Sequence, residues 1–378
     1  MTTVLHIADY AAPYPGAFIG QLRMLDDEVR RRGRSRCAFA FPAMAAGHDW
    51  FQRQRADGSP TRTVSTSAKR GLAGTAAELT RVIADSDAAI VHTHFGGYDL
   101  AAALAVARLR RRGHDCRLVW HYRTALETPV DARGPLHRAK DVVRFRLPAP
   151  LVDRCFAVTH ALADEAARRG MGHRASAMVA GCDTATFAPD PAARIRIRES
   201  LGLAPADVMI MHLGWHWHRK GGDLLAAAAT IAQAQFTGRL HVVSVGAPAS
   251  VPPVTALPFT DRIRDVYAAA DIFVSASRSE GFGNGVAEAM SCGSVVVAAL
   301  ATGQREVFRD APGCVAAPVD DADALAAGIT DLLARQAQWR ELGASNRAHV
   351  IEHHDMRDWA SRMADAYDEL SPVPVEPR

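Results

Sequence analysis

The sequence predicts an α/β protein of two doubly wound, Rossmann-like domains, each a parallel sheet covered by helices on both faces. Short apolar runs alternate with longer helix-spaced segments along the whole chain, the signature of parallel sheets with helical crossovers. The 378 residues exceed what one hydrophobic core usually accommodates. The alternation pauses once, near residues 183–191, where Phe187, Pro189 and Pro191 interrupt it.

Residues 3–8, 89–93, 117–121 and 155–158 read as buried strands of the first half. In the second half, residues 208–213, 240–245, 272–275, 295–298 and 314–317 read the same way. Helical spacing occupies residues 97–112, 222–235 and 322–334 between them. The expected organisation is a domain over 1–188, a second over 189–354, and a helix over 355–370 that crosses back to the first. A mobile tail is expected over 371–378, which holds three prolines in eight positions. The strand carboxyl ends of both sheets are expected to face a common central cleft, where ligands bind in such folds.

Composition narrows the function classes. Hydrophobic residues make up 48% and charged residues 22%, the proportions of an ordinary globular protein. No apolar run is long enough to span a membrane and no secretory leader is recognisable, so a cytoplasmic location is expected. The six cysteines form no Cys-x-x-Cys pair and read as reduced, mostly buried thiols. Residues 1–190 carry 27 basic and 19 acidic side chains, the remainder 17 and 22. Part of that basic excess lies at Arg30–Arg36 and Arg108–Arg112, where helices end, and dipole complementarity explains it as well as an anionic partner does. No nucleic-acid-binding motif accompanies it, and no nucleic-acid partner is expected. The first strand is followed by Pro13, Tyr14, Pro15 and Gly16 rather than by Gly-x-Gly-x-x-Gly, which disfavours a nicotinamide or flavin enzyme.

The most informative stretch runs from Ser275 through Glu280, Gly281, Phe282, Gly283, Asn284, Gly285 and Glu288 to Gly293. A strand ends near Ser275, a glycine-rich turn follows, and helical spacing resumes from Gly285. Glycines there let backbone N–H groups approach an anion at a helix amino terminus, a site that suits a diphosphate. Glu280 and Glu288 bracket the turn, and carboxylates accept from paired sugar hydroxyls. A surface glutamate and a helix-capping glutamate beside a glycine-rich loop is the plain structural alternative.

Trp215, His216, Trp217, His218, Arg219, Lys220, Gly221 and Gly222 also lie between a strand and a helix. Lys220 is one of three lysines, beside Lys69 and Lys140, in a chain that otherwise uses arginine. A lysine just before a helix start opposes the helix dipole unless an anion is present, so a diphosphate is its expected partner.

With these residues in order, the sequence resembles the retaining glycosyltransferases of family four, which have the GT-B fold. Further matches are Val179 to Thr184 with Phe187 and Pro189, Tyr267 to Phe273, and Gly303 to Val307. The resemblance implies a nucleotide diphosphate sugar as donor, an acceptor of unknown identity, and no metal or other cofactor. It implies that Glu288 holds the donor ribose, Lys220 the diphosphate and Glu280 the transferred sugar, assisted by N–H groups of Gly281, Phe282, Gly283 and Asn284. In the amino-terminal half, His121 matches the family's active-site histidine and Gly16 its flexible loop. A polysaccharide, a glycolipid or a small natural product is the acceptor class implied, with a hexose or N-acetylhexosamine transferred.

Two departures stand out. Trp215 occupies the place where the family usually has arginine, leaving Arg219 to supply that charge. The stretch between Gly246 and Pro258 is short, so base preference does not carry over. A nucleotide-sugar epimerase or hydrolase, or a non-catalytic sugar-nucleotide binder, are the rival readings. Residues 133–147, with Arg138, Lys140, Arg144 and Arg146 among apolar side chains, read as a solvated helix, with contact to an anionic bilayer the alternative. His92 and His94 share one strand face, and His216 and His218 lie close, but neither pair shows a third and fourth metal ligand. Asp321 and Asp323 open a helix and read as capping residues.

Overall fold

The computed structural model of the chain describes residues 1–65, 67–126 and 134–371, with only the backbone at 67–70, 135 and 138. Beyond Ser371 the expected tail lies outside the described residues, as does Arg133 of the basic segment. The chain forms two compact units, Met1–Val179 with Arg357–Arg378, and Ala180–Met356. The segment 183–191 belongs to the second unit.

The first unit is built on seven parallel strands: β1 (Thr2–Ala8), β2 (Ser35–Pro42), β3 (Thr61–Val64), β4 (Ile90–His94), β5 (Arg117–Tyr122), β6 (Arg154–Ala157) and β7 (Ala175–Ala177). Their order across the sheet is β3-β2-β1-β4-β5-β6-β7. Central strands β1 and β4 are buried along nearly their whole length, because helices cover both faces. The helix Gly16–Arg32 carries Arg30, Arg31 and Arg32 in its last turn and ends on Gly33 in the left-handed region. Those arginines pair with Asp26 and Glu28 of the same helix and with Asp365. The chain returns to this unit through the helix Met356–Leu370, whose Trp359, Met363 and Tyr367 are fully buried.

The basic segment is not one solvated helix. It is a short helix, Pro135–Asp141, followed by a wider turn over Val142–Arg146. Phe145 is buried there with the guanidinium of Arg169 5.6 Å from its ring centroid.

The second unit holds six parallel strands: β8 (Val208–Leu213), β9 (Leu240–Val245), β10 (Val254–Leu257), β11 (Ile272–Ser275), β12 (Val295–Ala299) and β13 (Cys314–Ala317). Their order is β10-β9-β8-β11-β12-β13. Val208, Ile210, Val274 and Val297 meet Leu225, Ile329 and Leu332 in a continuous core beneath the helices Gly222–Gln235 and Ala322–Ala334. Asp321 caps the latter helix, accepting from the Ala324 N–H at 2.8 Å, as its capping assignment requires. All six cysteines are free, and all but Cys314 are buried.

Candidate functional site

The loops at the carboxyl ends of β8 and β11 build the site in the second unit. After Leu213 the chain turns through Trp215 to Lys220 and enters the helix Gly222–Gln235. Gly221 has φ 70°, and a Cβ on it would lie 2.0 Å from the Ala276 carbonyl oxygen. Only glycine allows that helix start to press against the end of β11. The Arg219 carbonyl accepts from the Arg278 N–H at 2.9 Å, closing the two loops on each other. The Arg278 guanidinium reinforces this by pairing with Asp223 and Asp320.

This packing brings Lys220 to Glu280. Their ion pair is largely enclosed, with side-chain exposures of 11% and 13%. The Ser277 hydroxyl donates to the same Glu280 oxygen at 2.8 Å. Burial pushes the Glu280 carboxyl upward, but Lys220, Ser277 and Arg219 outweigh it and hold it below the ordinary carboxylate range. His212, fully inside β8, fixes the backbone beneath: its ring bonds Ser244 Oγ at 2.9 Å and the Lys220 carbonyl at 3.0 Å.

The glycine-rich turn leads into the helix Asn284–Ser291, one residue earlier than the periodicity suggests. Gly283 caps it in the left-handed region with φ 101°. The Val286 and Ala287 N–H groups donate to the Gly283 carbonyl at 2.9 and 3.2 Å, and the positive end of the helix dipole there favours an anion. Phe282 is buried, its ring 5.5 Å from that of His354, while Asn284 is exposed. Lys220, Ser277, Glu280 and Gly283 line one cavity together with His212 and Gln304. Gln304 is fully buried, accepting from Ser275 Oγ and donating to the Ala299 carbonyl.

Glu288 projects from the middle of the same helix, partly accessible. Burial pushes its carboxyl up to about 7 against the pull of the Tyr267 hydroxyl and Lys220. Arg219 is exposed and reaches the Ser279 carbonyl at 3.4 Å, so its charge lies along the Glu280 segment. The Trp215 ring lies 5.4 Å from Lys220 Nζ and 6.5 Å from the Phe259 ring.

Thus Arg219, Lys220, Glu280, Gly281, Phe282, Gly283, Asn284 and Glu288 gather in the second unit. His121 and Gly16 lie in the first. His121 is the last residue but one of β5, fully buried, with burial and the Arg123 charge holding its imidazole well below its ordinary value. Gly16 opens its helix at φ 53°, and a Cβ there would lie 3.0 Å from the Tyr10 hydroxyl. The sequence singled out neither His212, Ser277 nor Arg278. Each is a lone polar residue whose partner is distant in the chain, and only the loop packing signals its role.

A sequence model described as "Glycosyl transferases group 1" matches residues 207–335. Among curated proteins, the chain is 28% identical over 206 residues to the "GDP-mannose-dependent alpha-(1-6)-phosphatidylinositol monomannoside mannosyltransferase" of Mycolicibacterium smegmatis, covering 49% of this chain and 54% of that protein. It is 33% identical over 208 residues to the "D-inositol 3-phosphate glycosyltransferase" of Xylanimonas cellulosilytica, covering 50% of this chain and 49% of that protein. The matched region therefore spans about half the length of these curated relatives. Among solved structures, HepE of Anabaena, crystallised with UDP and glucose, superposes with a TM-score of 0.78 at 18% identity, over 97% of this chain and all of that one. WaaG, described as a glycosyltransferase of lipopolysaccharide biosynthesis, gives a TM-score of 0.70 at 14% identity over 97% and 99% of the two chains. None of the helices among the described residues is long and apolar enough to cross a membrane. The chain has the GT-B fold, and its residues 207–335 are similar to the glycosyl transferases group 1.

Proposed function

We propose that the chain transfers a hexose or N-acetylhexosamine from a nucleotide diphosphate sugar to an acceptor hydroxyl, with retention of anomeric configuration. The observation that carries this reading is the enclosed Lys220–Glu280 pair in a cavity that also contains the Gly283 helix cap. An ammonium and a helix amino terminus suit a diphosphate, and an adjacent carboxylate suits sugar hydroxyls. HepE, crystallised with UDP, and the GDP-mannose-dependent mannosyltransferase of Mycolicibacterium smegmatis support a nucleotide sugar donor.

In this reading the bond between the anomeric carbon and the diphosphate oxygen breaks as the bond to the acceptor oxygen forms. The acceptor proton passes to the departing phosphate. Lys220, Arg219 and the amides heading Asn284–Ser291 stabilise the negative charge that develops on the diphosphate. Those two cationic side chains and the helix amides supply the role a divalent ion would otherwise fill, so the transfer is expected to run without added metal. Glu288 holds the ribose and Glu280 the transferred sugar. By the sequence resemblance alone, His121 orients a substrate and Gly16 supplies a flexible loop. The acceptor hydroxyl belongs to a polysaccharide, a glycolipid or a small natural product.

Thermal-shift titration of the whole chain with nucleoside diphosphates and their sugars tests the donor. Specific nucleotides are expected to raise the melting temperature, and Lys220→Met is expected to reduce the shift. No shift with any member of the panel overturns the reading. Rapid breakdown or isomerisation of donor without acceptor favours a hydrolase or epimerase instead.

A further inference from the structure

The strand register places four histidines on one face of the first sheet. His6 of β1 lies beside His92 of β4, and His94 of β4 lies beside His121 of β5. His92 and His94 are two residues apart and so project to the same side. All four are essentially without solvent exposure. The sequence showed only the His92 and His94 pair; the missing partners arrive through parallel strand pairing.

From this cluster we infer a transition-metal site: His6, His92 and His94 hold a borderline divalent cation such as Zn2+ or Co2+, with His121 next to the fourth position. One ligand nitrogen from each of the first three lies within 4.8 Å of the others. A tetrahedral ion with nitrogens at about 2 Å sets imidazole centroids about 5 Å apart. The observed separations are 5.2 Å for His6 and His92, 5.4 Å for His6 and His94, and 4.2 Å for His92 and His94. His121 stands 5.3 Å from His92 and 5.6 Å from His94. Small ring rotations therefore bring the donors onto a shared centre. Among the described residues this is the one such group of potential ligands.

The buried polar atoms point the same way. His6 Nε2, His92 Nε2 and both nitrogens of His121 have no hydrogen-bond partner. Buried polar groups seldom stay unpartnered, and a shared ligand can satisfy at most one nitrogen of each ring. His92 also has an outer partner. Its Nδ1 lies 2.6 Å from the Tyr367 hydroxyl, which leaves Nε2 for a metal.

Arg123 acts against the ion. Its Nε donates to His94 Nδ1 at 3.1 Å, which keeps the His94 proton on Nε2, 3.1 Å from His6 Nδ1. Ligation by His94 Nε2 moves that proton to Nδ1 and turns Arg123 away, with no net proton released. Arg123 has other anchors, at Gln21 and against the rings of Phe18 and Trp359. The guanidinium thus sets the affinity rather than closing the site. The ion would be structural, tying β1 and β4 to the helix that carries Tyr367. The three ligands belong to the first unit, and Lys220 and Glu280 to the second.

The test uses the full chain stripped with chelator, then loaded with Zn2+ or Co2+ and freed of excess by gel filtration. One ion per chain is expected, with an X-ray absorption spectrum showing a nitrogen-only histidine shell at about 2.0–2.1 Å. His92→Ala is expected to abolish binding, Tyr367→Phe to weaken it about tenfold or more, and Arg123→Met to tighten it. The pair His349→Ala with His353→Ala in the second unit is expected to leave it intact. Absence of binding by the unaltered chain, an oxygen-dominated shell, or loss of the ion in the His349 and His353 variant overturns the proposal. The absorption measurement on the unaltered chain decides even where His92→Ala fails to fold.

Discussion

Lys220 Nζ is paired with the Glu280 carboxylate, joining the loop after β8 to the loop after β11. The pair holds a cation and an anion ready in the absence of ligand, and a diphosphate would compete with Glu280 for the ammonium. Lys220→Met leaves the carboxylate enclosed with Ser277 as its remaining close donor. The expected loss of stability is roughly 1–3 kcal/mol. Glu280→Gln together with Lys220→Met should cost less than the two single changes added, because it removes both charges. Denaturant unfolding of the four proteins checks this. Each single variant is expected to lower transfer roughly 100-fold or more, the scale on which a transition-state contact acts.

Glu288 makes nucleotide binding depend on pH. Its carboxyl is held up at about 7 and is faced by Tyr267, Lys220, Cys182 and Cys292. Below that pH it is protonated in the free protein, and accepting two ribose hydroxyls requires it ionised. Affinity should therefore rise as pH is raised through 7 and level off above it. Calorimetry in buffers of different ionisation enthalpy should show proton release on binding near pH 6, absent in Glu288→Gln. The same raised value implies that acidification from 7 toward the unfolded value near 4.5 stabilises the fold at this one group.

Arg219 is the expected replacement for the charge missing at Trp215. Arg219→Ala should weaken a nucleoside diphosphate about tenfold, equivalent to about 1.4 kcal/mol. The corresponding monophosphate should lose less. Equal losses, seen by titration of both ligands, would remove Arg219 from the diphosphate site.

Gly303 has an ordinary helical backbone, φ −78°, so a substitution there tests space alone. A Cβ would fall 2.0 Å from the Gly281 carbonyl oxygen. Gly303→Ala should push the glycine-rich turn out of place and destabilise by roughly 1–3 kcal/mol, the range for overpacking. Nucleotide affinity should fall with it, while metal content of the first unit is unchanged.

The sequence revealed elements where the apolar signal was continuous. The strands expected at 208–213, 240–245, 272–275 and 314–317 match β8, β9, β11 and β13 residue for residue. It missed β2, since Arg30 to Arg36 reads as a charged helix end; the strand begins at Ser35, with Cys37–Pro42 buried and Arg36 exposed. Strands β3 and β7 have four and three residues and little burial, which leaves no periodicity to detect. In the site, Lys220 was legible because lysine is scarce here, and Glu280 because it borders the glycine turn. His212 and Gln304 were not, because their partners are reached only through the fold. His6 and His94 likewise meet across 88 residues of sequence.

The return of residues 357–370 to the first unit has a consequence for biosynthesis. Tyr367 packs against His6 of β1 and His92 of β4, so the layer over these strands stays open on the ribosome until residues 357–370 have emerged. The second unit, continuous in the chain, can close earlier. The usual amino-to-carboxyl order of maturation is reversed, and nascent chains arrested before residue 357 should present an unfinished, chaperone-accessible amino-terminal half.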